Sequence, residues 1–346
     1  MEKRAQAFLK LRDFLSDFLG ERKNNSYKAK YEQLDELIKE TYSYNGWFTD
    51  EFVKKALYGI IQLIEPTNLK EFIKEIKEPK TYKTVAVIMA GNIPAVGFHD
   101  FMCVLLSGNK ILIKPSSDDK ILITFFAEFL MEVDPLFKEY ILFTDGRLVN
   151  FDAVIATGSN NSALYFEKYF GKYSHIIRKN RTSVAILTGK ETTEELNLLG
   201  NDIFDYFGLG CRNVSKLYVP KGYNFNKFYE SIFSFSEIIQ NKKYANNHEY
   251  NRAIYLLNQE NFLDNNFLIL RETNLLHSPI AVLFYEQYEN LDEISQKLKV
   301  LEEELQCVVS NTDLSIKTIP LGKSQTPTVF DFSDNINTLY FLNNLN

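Results

Sequence analysis

The sequence lacks the residues that build disulfide frameworks, metal knuckles and membrane spans. Its 346 residues include three cysteines, Cys103, Cys211 and Cys307, which are too few and too widely spaced for a disulfide framework or a zinc knuckle. The four histidines show no metal-ligand spacing with one another. No apolar run reaches the ~20 residues that span a bilayer, and the N-terminus lacks the apolar core of a signal peptide. We therefore expect a protein of the reducing cytoplasm, with no metal site and no transmembrane segment.

Two common nucleotide-binding fingerprints and a basic surface are also missing. The chain contains neither GxGxxG nor GxxxxGK[ST]. Its formal net charge is −6, and its lysines and arginines are scattered rather than clustered. A negative chain without a basic cluster argues against nucleic acid or an anionic membrane as the main partner.

The N-terminal region is predicted to be helical, and the rest of the chain to alternate between strands and helices. In residues 1–78, apolar positions recur every three or four residues and Gly and Pro are scarce. Short apolar runs then alternate with helical patterns, as in parallel, doubly wound sheets. The predicted strands are 84–90, 109–115, 140–144, 151–159, 182–189, 215–220, 279–288 and 307–310.

The alternation restarts near residues 178–183 without a flexible linker. We therefore expect an α/β protein of two domains. The first comprises residues 1–182, with its helical N-terminal region, and is rejoined by residues 312–346. The second comprises residues 183–311.

The stretch FGLGCRNVSKLYVP, residues 207–220, places Cys211 in a Gly-rich turn directly before a strand. The adjacent Arg212, and backbone amides exposed by the Gly208–Gly210 turn, would favour the thiolate, which is the nucleophilic form of cysteine. The alternative is a buried structural cysteine at a strand start, as we expect for Cys103 and Cys307.

Three further segments end predicted strands with polar groups. MAGNIP places Asn92 after the first strand, and NKILIKPSSDD ends the second strand at Lys114 and then begins a helix at its Asp pair. IATGSNN places Thr157, Gly158 and Ser159 at a helix start, where backbone N–H groups can bind phosphate. Ligands of α/β folds bind at the carboxyl ends of strands. Each segment could equally be an ordinary turn, a solvated lysine or a capped helix.

Taken in order, these segments resemble the aldehyde dehydrogenase superfamily. The series runs AGN-x-P, L-x-S-G-N-x-x-x-x-K-P, TGS, L-x-G-K and G-x-G-C. More narrowly, RKNRTSVAILTGKET, DIFDYFGLGCRNVSKLYVP and LGKSQTPTVFDFSDNINTLYFL resemble the acyl-CoA reductase family, which includes the fatty-acid reductase of bacterial bioluminescence. The resemblance covers roughly residues 80–346. It implies a Rossmann-like cofactor domain and a smaller α/β catalytic domain, with the active site between them at the carboxyl ends of strands.

The resemblance implies a role for each group. Cys211 would attack an acyl-CoA thioester, and the Asn92 side chain and the Cys211 backbone N–H would form the oxyanion hole. NADPH would then reduce the acyl-enzyme to an aldehyde. Lys114 would contact the adenosine ribose, and the turn of Thr157, Gly158 and Ser159 the pyrophosphate region.

Three positions are compared with the superfamily pattern. Ile186 is expected to replace the general-base glutamate of the Glu-Leu-Gly-Gly-Lys motif, so that the acyl-enzyme escapes hydrolysis. Ser117 replaces the glutamate that holds the ribose 2′-hydroxyl in NAD-preferring members, so we expect NADPH rather than NADH. Glu272 is the nearest carboxylate to the segment that holds the nicotinamide ribose.

The sequence thus predicts an NADP-dependent acyl-CoA reductase that forms a fatty aldehyde. Two alternatives remain: an acyltransferase or thioesterase-like protein that forms an acyl-cysteine without a nucleotide, and a non-catalytic scaffold. Lys114 and the TGS turn argue against the first, and Asn92 with Cys211 argues against the second. The acyl donor, whether CoA or an acyl-carrier or acyl-transferring protein, and a homo-oligomeric state are left open.

Overall fold

The computed structural model describes residues 1–345, which form two compact units, each built on one sheet. The first unit comprises residues 1–180 and the C-terminal segment from residue 326, and the second comprises residues 181–325. In the described part of the chain, no helix is both long and apolar enough to cross a membrane. The helices of the first unit are α1 (Glu2–Leu19), α2 (Lys28–Tyr44), α3 (Asp50–Leu63), α4 (Pro66–Lys74), α5 (Phe98–Leu106), α6 (Lys120–Val133), α7 (Phe137–Tyr140), α8 (Asn160–Phe170) and α13 (Thr338–Asn343), and its strands are β1 (Thr84–Ile88), β2 (Lys110–Lys114), β3 (Ile141–Phe143), β4 (Ala153–Thr157) and β5 (Ser174–Arg178).

The sheet of the first unit is parallel throughout, in the order β3-β2-β1-β4-β5. Its central strands are short apolar runs because helices cover both faces of a parallel sheet, and Val85, Val87 and Ile155 are almost fully buried. The chain moves outward from β1 in one direction and from β4 in the other. The neighbouring strands β1 and β4 therefore form a topological switch point, where folds of this class bind ligands.

The helical N-terminal region packs against helices α5 and α6 of this unit. Phe8 of α1 contacts Phe98 with ring centroids 6.2 Å apart, and Phe14 contacts Phe129 at 4.8 Å. Thr49 caps α3 by accepting a hydrogen bond from a backbone N–H of its first turn. The predicted helical N-terminal region is therefore confirmed, with α1 to α4 as its helices.

The C-terminal segment completes the core of the first unit. Helix α13 buries Leu339 and Leu342 in the same apolar cluster as the N-terminal helices. Its Thr338 hydroxyl accepts a hydrogen bond of 2.8 Å from the buried Arg178 guanidinium, which also pairs with both carboxylate oxygens of Asp100. Burial raises the pKa of Asp100, but the charge and hydrogen bonds of Arg178 outweigh burial, and the pKa lies below its usual value.

The second unit is a mixed α/β layer around a six-stranded sheet in the order β11-β6-β7-β10-β9-β8. All neighbouring pairs are parallel except the short edge pair of β8 with β9. The elements of this unit are helices α9 (Thr193–Phe204), α10 (Phe225–Ser231), α11 (Lys242–Leu257) and α12 (Leu291–Val300), and strands β6 (Thr182–Ile186), β7 (Val214–Pro220), β8 (Leu263–Asp264), β9 (Ile269–Glu272), β10 (Val282–Tyr288) and β11 (Leu305–Val309).

Residues 312–325, which the sequence analysis assigned to the first domain, pack within the second unit. Ile319 forms a parallel bridge with Val309 at the end of β11. The backbone N–H groups of Gly322 and Ser324 donate to the two carboxylate oxygens of the buried Asp202, at 2.6 and 2.9 Å. These contacts keep the chain on the second sheet for longer than the expected return at residue 312.

Candidate active site

Cys211 lies in a tight turn between α9 and β7 of the second unit. Directly after α9, Tyr206, Phe207 and Gly208 adopt left-handed backbone conformations, with φ of 52°, 58° and 76°. Such a conformation is unfavourable for bulky residues and persists only where the surroundings impose it. Both aromatic side chains are buried, and the Phe207 ring lies 6.0 Å from that of Tyr244. Core packing therefore holds the turn that leads to Cys211.

The buried side chain of Asn213 fixes the same turn from within. Its Oδ1 accepts a hydrogen bond of 2.8 Å from the Gly210 N–H, and its Nδ2 donates to the carbonyl oxygens of Asp202 and Asp205, at 3.1 and 2.9 Å. The Gly-rich sequence predicts that backbone amides of the Gly208–Gly210 turn face the Cys211 thiolate. For the Gly210 amide that expectation is wrong, because Asn213 already accepts its hydrogen bond.

Cys211 lies at the amino ends of three neighbouring strands of the second sheet. Its carbonyl oxygen accepts a hydrogen bond of 2.9 Å from Ser183 Oγ in β6, and its Sγ lies 3.9 Å from Oε1 of Gln306 in β11. The expectation that the site lies at carboxyl ends of strands is therefore wrong for the nucleophile. Helix α9 returns the chain along the sheet, so the turn after it lies at the edge where parallel strands begin.

The three cysteines differ in burial. Cys103 and Cys307 are buried as expected for core residues, whereas Cys211 is half-buried. Burial raises the pKa of Cys307 to about 11 and that of Cys103 well above its usual range. These two groups are therefore neutral thiols near pH 7, and a nucleophilic role requires the thiolate. Among the cysteines, Cys211 is the candidate nucleophile.

The segment Ile186–Lys190 lies towards the opposite edge of this sheet. Ile186 pairs with Tyr218, four residues beyond the start of β7, or about 13 Å along the strands. Its side chain is buried. The interpretation of Ile186 as the replaced general base is therefore wrong, because this position does not reach the edge that carries Cys211. The following carboxylate, Glu191, accepts hydrogen bonds of 2.6 and 3.0 Å from two backbone N–H groups of its own turn.

Asn92 is exposed in the turn that joins β1 to α5 in the first unit. The preceding Gly91 lies directly against the segment after β2, since a Cβ at residue 91 would be 2.4 Å from Ser116 Oγ. Later in the turn, Ala95 has a φ of 57°. Asn92 therefore sits at the carboxyl end of β1, on the switch point of the sheet.

Lys114 and Ser117 follow β2, the strand next to β1. The Lys114 ammonium donates a hydrogen bond of 2.9 Å to the Gly146 carbonyl oxygen. Ser117 is exposed and carries no charge. Both residues lie at the same edge of the first sheet as Asn92.

The turn after β4 contributes Thr157, Gly158 and Ser159 to that edge. Ser159 caps α8, because its Oγ accepts a hydrogen bond of 3.1 Å from the Ser162 N–H. A Cβ at Gly158 would lie 2.9 Å from Ser162 Cβ, so the backbone approaches α8 closely. The Thr157 hydroxyl lies 3.4 Å from the buried Arg178 guanidinium. The structure thus places the predicted cofactor residues of the first unit on both sides of the switch point.

Glu272 is not brought to the edge that carries Cys211. It is the last residue of β9 and pairs with Tyr285, whose partner on β7 is Leu217. Its carboxylate is exposed and accepts a hydrogen bond of 2.9 Å from Gln287. The residues after it run back towards the amino edge, where the Leu276 carbonyl accepts a hydrogen bond from Ser215. Glu272 was proposed as a ligand of the nicotinamide ribose because it lies close in sequence to that returning loop, and not because of its position in the sheet.

Sequence reasoning did not identify two side chains that shape these turns, Asn213 and Asp119. Asn213 follows Cys211 by two residues, and an Asn beside a Gly-rich turn is a recognisable turn-forming signal. Asp119 belongs to the Asp pair expected to begin a helix, and it does precede α6, but its side chain does not cap that helix. Within residues 1–345, no group of three or more His, Cys, Asp or Glu side chains is arranged to hold a metal.

A family model described as Acyl-CoA reductase (LuxC) matches residues 10–228. The match spans well over half of the chain and includes Asn92, Lys114 and Cys211. The chain belongs to the acyl-CoA reductase (LuxC) family. It is therefore an enzyme, an acyl reductase that forms an aldehyde. A comparison with curated proteins found no match.

Solved aldehyde dehydrogenases share the fold of this acyl-CoA reductase family member. Aldehyde dehydrogenase 21 from Physcomitrella patens, in complex with the reaction product succinate, matches with 12% identity and a TM-score of 0.67, over 99% of this chain and 84% of that chain. An NAD-dependent aldehyde dehydrogenase from Sinorhizobium meliloti has 11% identity and a TM-score of 0.64, over 89% and 70%. An NADP-dependent enzyme from E. coli has 12% identity and a TM-score of 0.62, over 90% and 73%. The predicted aldehyde-dehydrogenase-like α/β fold is confirmed.

Proposed function

We propose that this acyl-CoA reductase family member reduces an acyl thioester to an aldehyde with NADPH, through an S-acyl intermediate on Cys211. The observation that carries the proposal is the setting of Cys211. It is the half-buried cysteine of the three, and it lies in a turn held by a buried asparagine and by left-handed backbone. Strain of this kind is typical of functional sites.

In the first step, the Cys211 thiolate attacks the thioester carbonyl carbon. The new carbon–sulfur bond forms as the bond to CoA breaks, and the CoA thiolate leaves and takes up a proton. The adjacent Arg212 charge favours the attacking thiolate. The Asn92 amide and the Cys211 backbone N–H are the proposed donors to the carbonyl oxygen as it gains negative charge.

In the second step, the acyl group leaves Cys211 as an aldehyde. NADPH, when bound, supplies a hydride for the acyl carbon. The carbon–sulfur bond breaks, which restores the Cys211 thiolate. The edge formed by Lys114, Ser117 and the Thr157–Ser159 turn suits this cofactor, since α8 begins there and a helix N-terminus can bind phosphate.

The side chains described beside Cys211 also favour reduction over hydrolysis. Ser183 and Gln306 are neutral and are poor general bases near pH 7. Neither of these two groups can activate water for attack on the thioester of Cys211, which supports reduction of the acyl group by hydride.

The test is aldehyde formation with purified protein, NADPH and a series of acyl-CoAs and acyl-carrier-protein thioesters. We expect NADPH loss matched by aldehyde from the wild type, no aldehyde from Cys211→Ala, and retained activity in the matched control Cys103→Ala. An S-acyl adduct on Cys211 without NADPH loss would favour the acyltransferase alternative. A wild-type protein that forms neither adduct nor aldehyde with any donor would leave the scaffold alternative.

A further inference from the structure

Asp119 lies at the start of α6, but its side chain contacts another segment instead of capping this helix. It is 7% exposed. It occupies the N-cap position of the helix, and its carboxyl group makes no cap hydrogen bond. The carboxyl group instead accepts hydrogen bonds from the backbone N–H groups of Ala95 and Val96. Those two residues belong to the turn that carries Asn92.

Helix α6 lacks the side-chain cap that Asp119 could provide. An aspartate at the N-cap normally satisfies one of the free N–H groups of the first turn, and loss of that cap destabilises a helix. Such an arrangement is expected where the side chain is needed for another structural purpose. Here that purpose is the conformation of the turn after β1.

The turn after β1 needs an external support because Ala95 adopts a φ of 57°. For an L-residue with a Cβ, this left-handed conformation is unfavourable. The hydrogen bonds to Asp119 hold the N–H of Ala95 and of the next residue. A second contact, between Gly91 and Ser116, joins the same two segments. Both ends of the Asn92 turn therefore contact the segment that follows β2.

The surroundings and hydrogen bonds of the Asp119 carboxyl group indicate which substitutions can replace it. Burial raises its pKa well above the usual value, more than the two backbone hydrogen bonds lower it, and the neighbouring Asp118 adds to the increase. Its Oδ1 is buried and has no hydrogen-bond partner within the described residues. The side-chain amide of asparagine keeps one carbonyl-type oxygen, which can accept the same hydrogen bonds from the backbone of the turn.

We propose that Asp119 is a positioning residue for acyl reduction: it holds the turn of residues 91–97 so that the Asn92 amide faces the reacting carbonyl oxygen. The inference rests on the proposed function, in which Asn92 stabilises that oxygen. Asp119 acts through Asn92 and touches neither substrate nor cofactor. Its removal therefore lowers the rate of Cys211 acylation and kcat, and leaves the KM for NADPH unchanged.

The test compares Asp119→Ala, Asp119→Asn and the exposed control Asp118→Asn in two backgrounds, wild type and Asn92→Ala. The measurements are the single-turnover rate of Cys211 acylation by acyl-CoA, and kcat with the KM for NADPH. Removal of one oxyanion donor typically costs about 10²–10³-fold in rate, so we expect Asp119→Ala to lower acylation at least about tenfold. Asp119→Asn and Asp118→Asn should stay within about threefold of wild type, because both retain the hydrogen bonds to the turn.

The Asn92→Ala background separates positioning from general damage. If Asp119 acts through Asn92, Asp119→Ala changes the rate of the Asn92→Ala enzyme by less than about threefold, because effects of coupled residues are not additive. Equal losses in both backgrounds, a raised KM for NADPH, or failure of Asp119→Asn would overturn the proposal. If Asp119→Ala does not fold, Asp119→Ser takes its place.

The same data separate this proposal from the proposed function. Aldehyde formation by the wild type with no effect of Asn92→Ala on acylation would overturn the role of Asp119 and leave the reductase assignment intact. Absence of both acylation and aldehyde in the wild type would overturn the two together.

Discussion

The reactivity of Cys211 depends on where the fold places each cysteine. Cys103 is enclosed in α5 of the first unit, and Cys307 lies in β11 of the second. Cys307 is close enough to the Cys211 turn to share a neighbour, since its Sγ lies 2.9 Å from Ser183 Oγ. Cys307 is buried and its pKa is raised to about 11, whereas Cys211 is half-buried, so the two thiols differ in their access to solvent.

This difference predicts selective alkylation. Treated with iodoacetamide near pH 8 in the folded state, Cys211 should be labelled, while Cys103 and Cys307 should react only after unfolding. The raised pKa, about 11 for Cys307, keeps these two thiols protonated until the pH approaches that value. Peptide mapping by mass spectrometry measures the labelling, with Cys211→Ala as the control. Labelling of Cys307 in the folded protein as fast as that of Cys211 would contradict the assignment.

We expect the nucleotide preference to depend on Ser117. A glutamate there should repel the 2′-phosphate of NADPH, and two charges 4 Å apart interact by about 1–4 kcal/mol between water and a protein surface. We expect Ser117→Glu to lower kcat/KM for NADPH at least about tenfold relative to NADH. Steady-state kinetics with both nucleotides measure the ratio. Ser117→Ala, which adds no charge, is the control and should preserve the preference; an unchanged ratio in Ser117→Glu would argue against a phosphate near this residue.

At the scale of elements, helix α13 shows how a segment distant in sequence stabilises the first unit. Leu339 is 1% exposed, whereas its neighbour Tyr340 is 70% exposed. Large-to-small substitution in a core costs about 2–5 kcal/mol, and exposed substitutions usually stay within about 0.5 kcal/mol. Leu339→Ala should therefore lower the free energy of unfolding by about 2–5 kcal/mol, and Tyr340→Ala should change it little.

Urea unfolding followed by tryptophan fluorescence measures this effect. The single tryptophan, Trp47, lies in the first unit and reports its unfolding. Equal effects of the two substitutions would mean that α13 does not pack in the core as described.

Elements with strong apolar patterns could be predicted from the sequence, and those built on polar or aromatic contacts could not. The alternation from β1 to β4 follows from short Val- and Ile-rich runs. Helix α11 was not predicted, because its buried face consists of polar and aromatic residues rather than aliphatic ones. These residues are Tyr244, His248, Asn251 and Tyr255. Strand β5 was not predicted, because its short apolar run ends in Arg178. The burial of Arg178 depends on a partner that is distant in sequence, Asp100.

The candidate site was predictable where one local segment carries the signal. Cys211, Asn92 and the TGS turn each stand beside a strand end that the sequence marks. Glu272 and Ile186 lie away from the edge that carries Cys211, and this could not be predicted because their positions depend on strand register, which motif spacing does not encode. Asp119 was missed because its partners, the backbone N–H groups of residues 95 and 96, carry no side-chain signature.

At the scale of the whole molecule, the chain distributes the proposed chemistry between two units. Cys211 belongs to the second unit, and Asn92, Lys114 and the TGS turn belong to the first. The central claim is that one enzyme forms an acyl-cysteine and then reduces it. That claim requires the two half-reactions to follow each other on the same thiol.

The most direct test is intact-protein mass spectrometry of a single turnover. After mixing with acyl-CoA alone, the wild type should gain the mass of one acyl group, mapped to Cys211, and release one CoA. Addition of NADPH should remove that mass and yield an equal amount of aldehyde. An adduct that forms on another residue, or one that NADPH leaves in place or releases as free acid, would contradict the account.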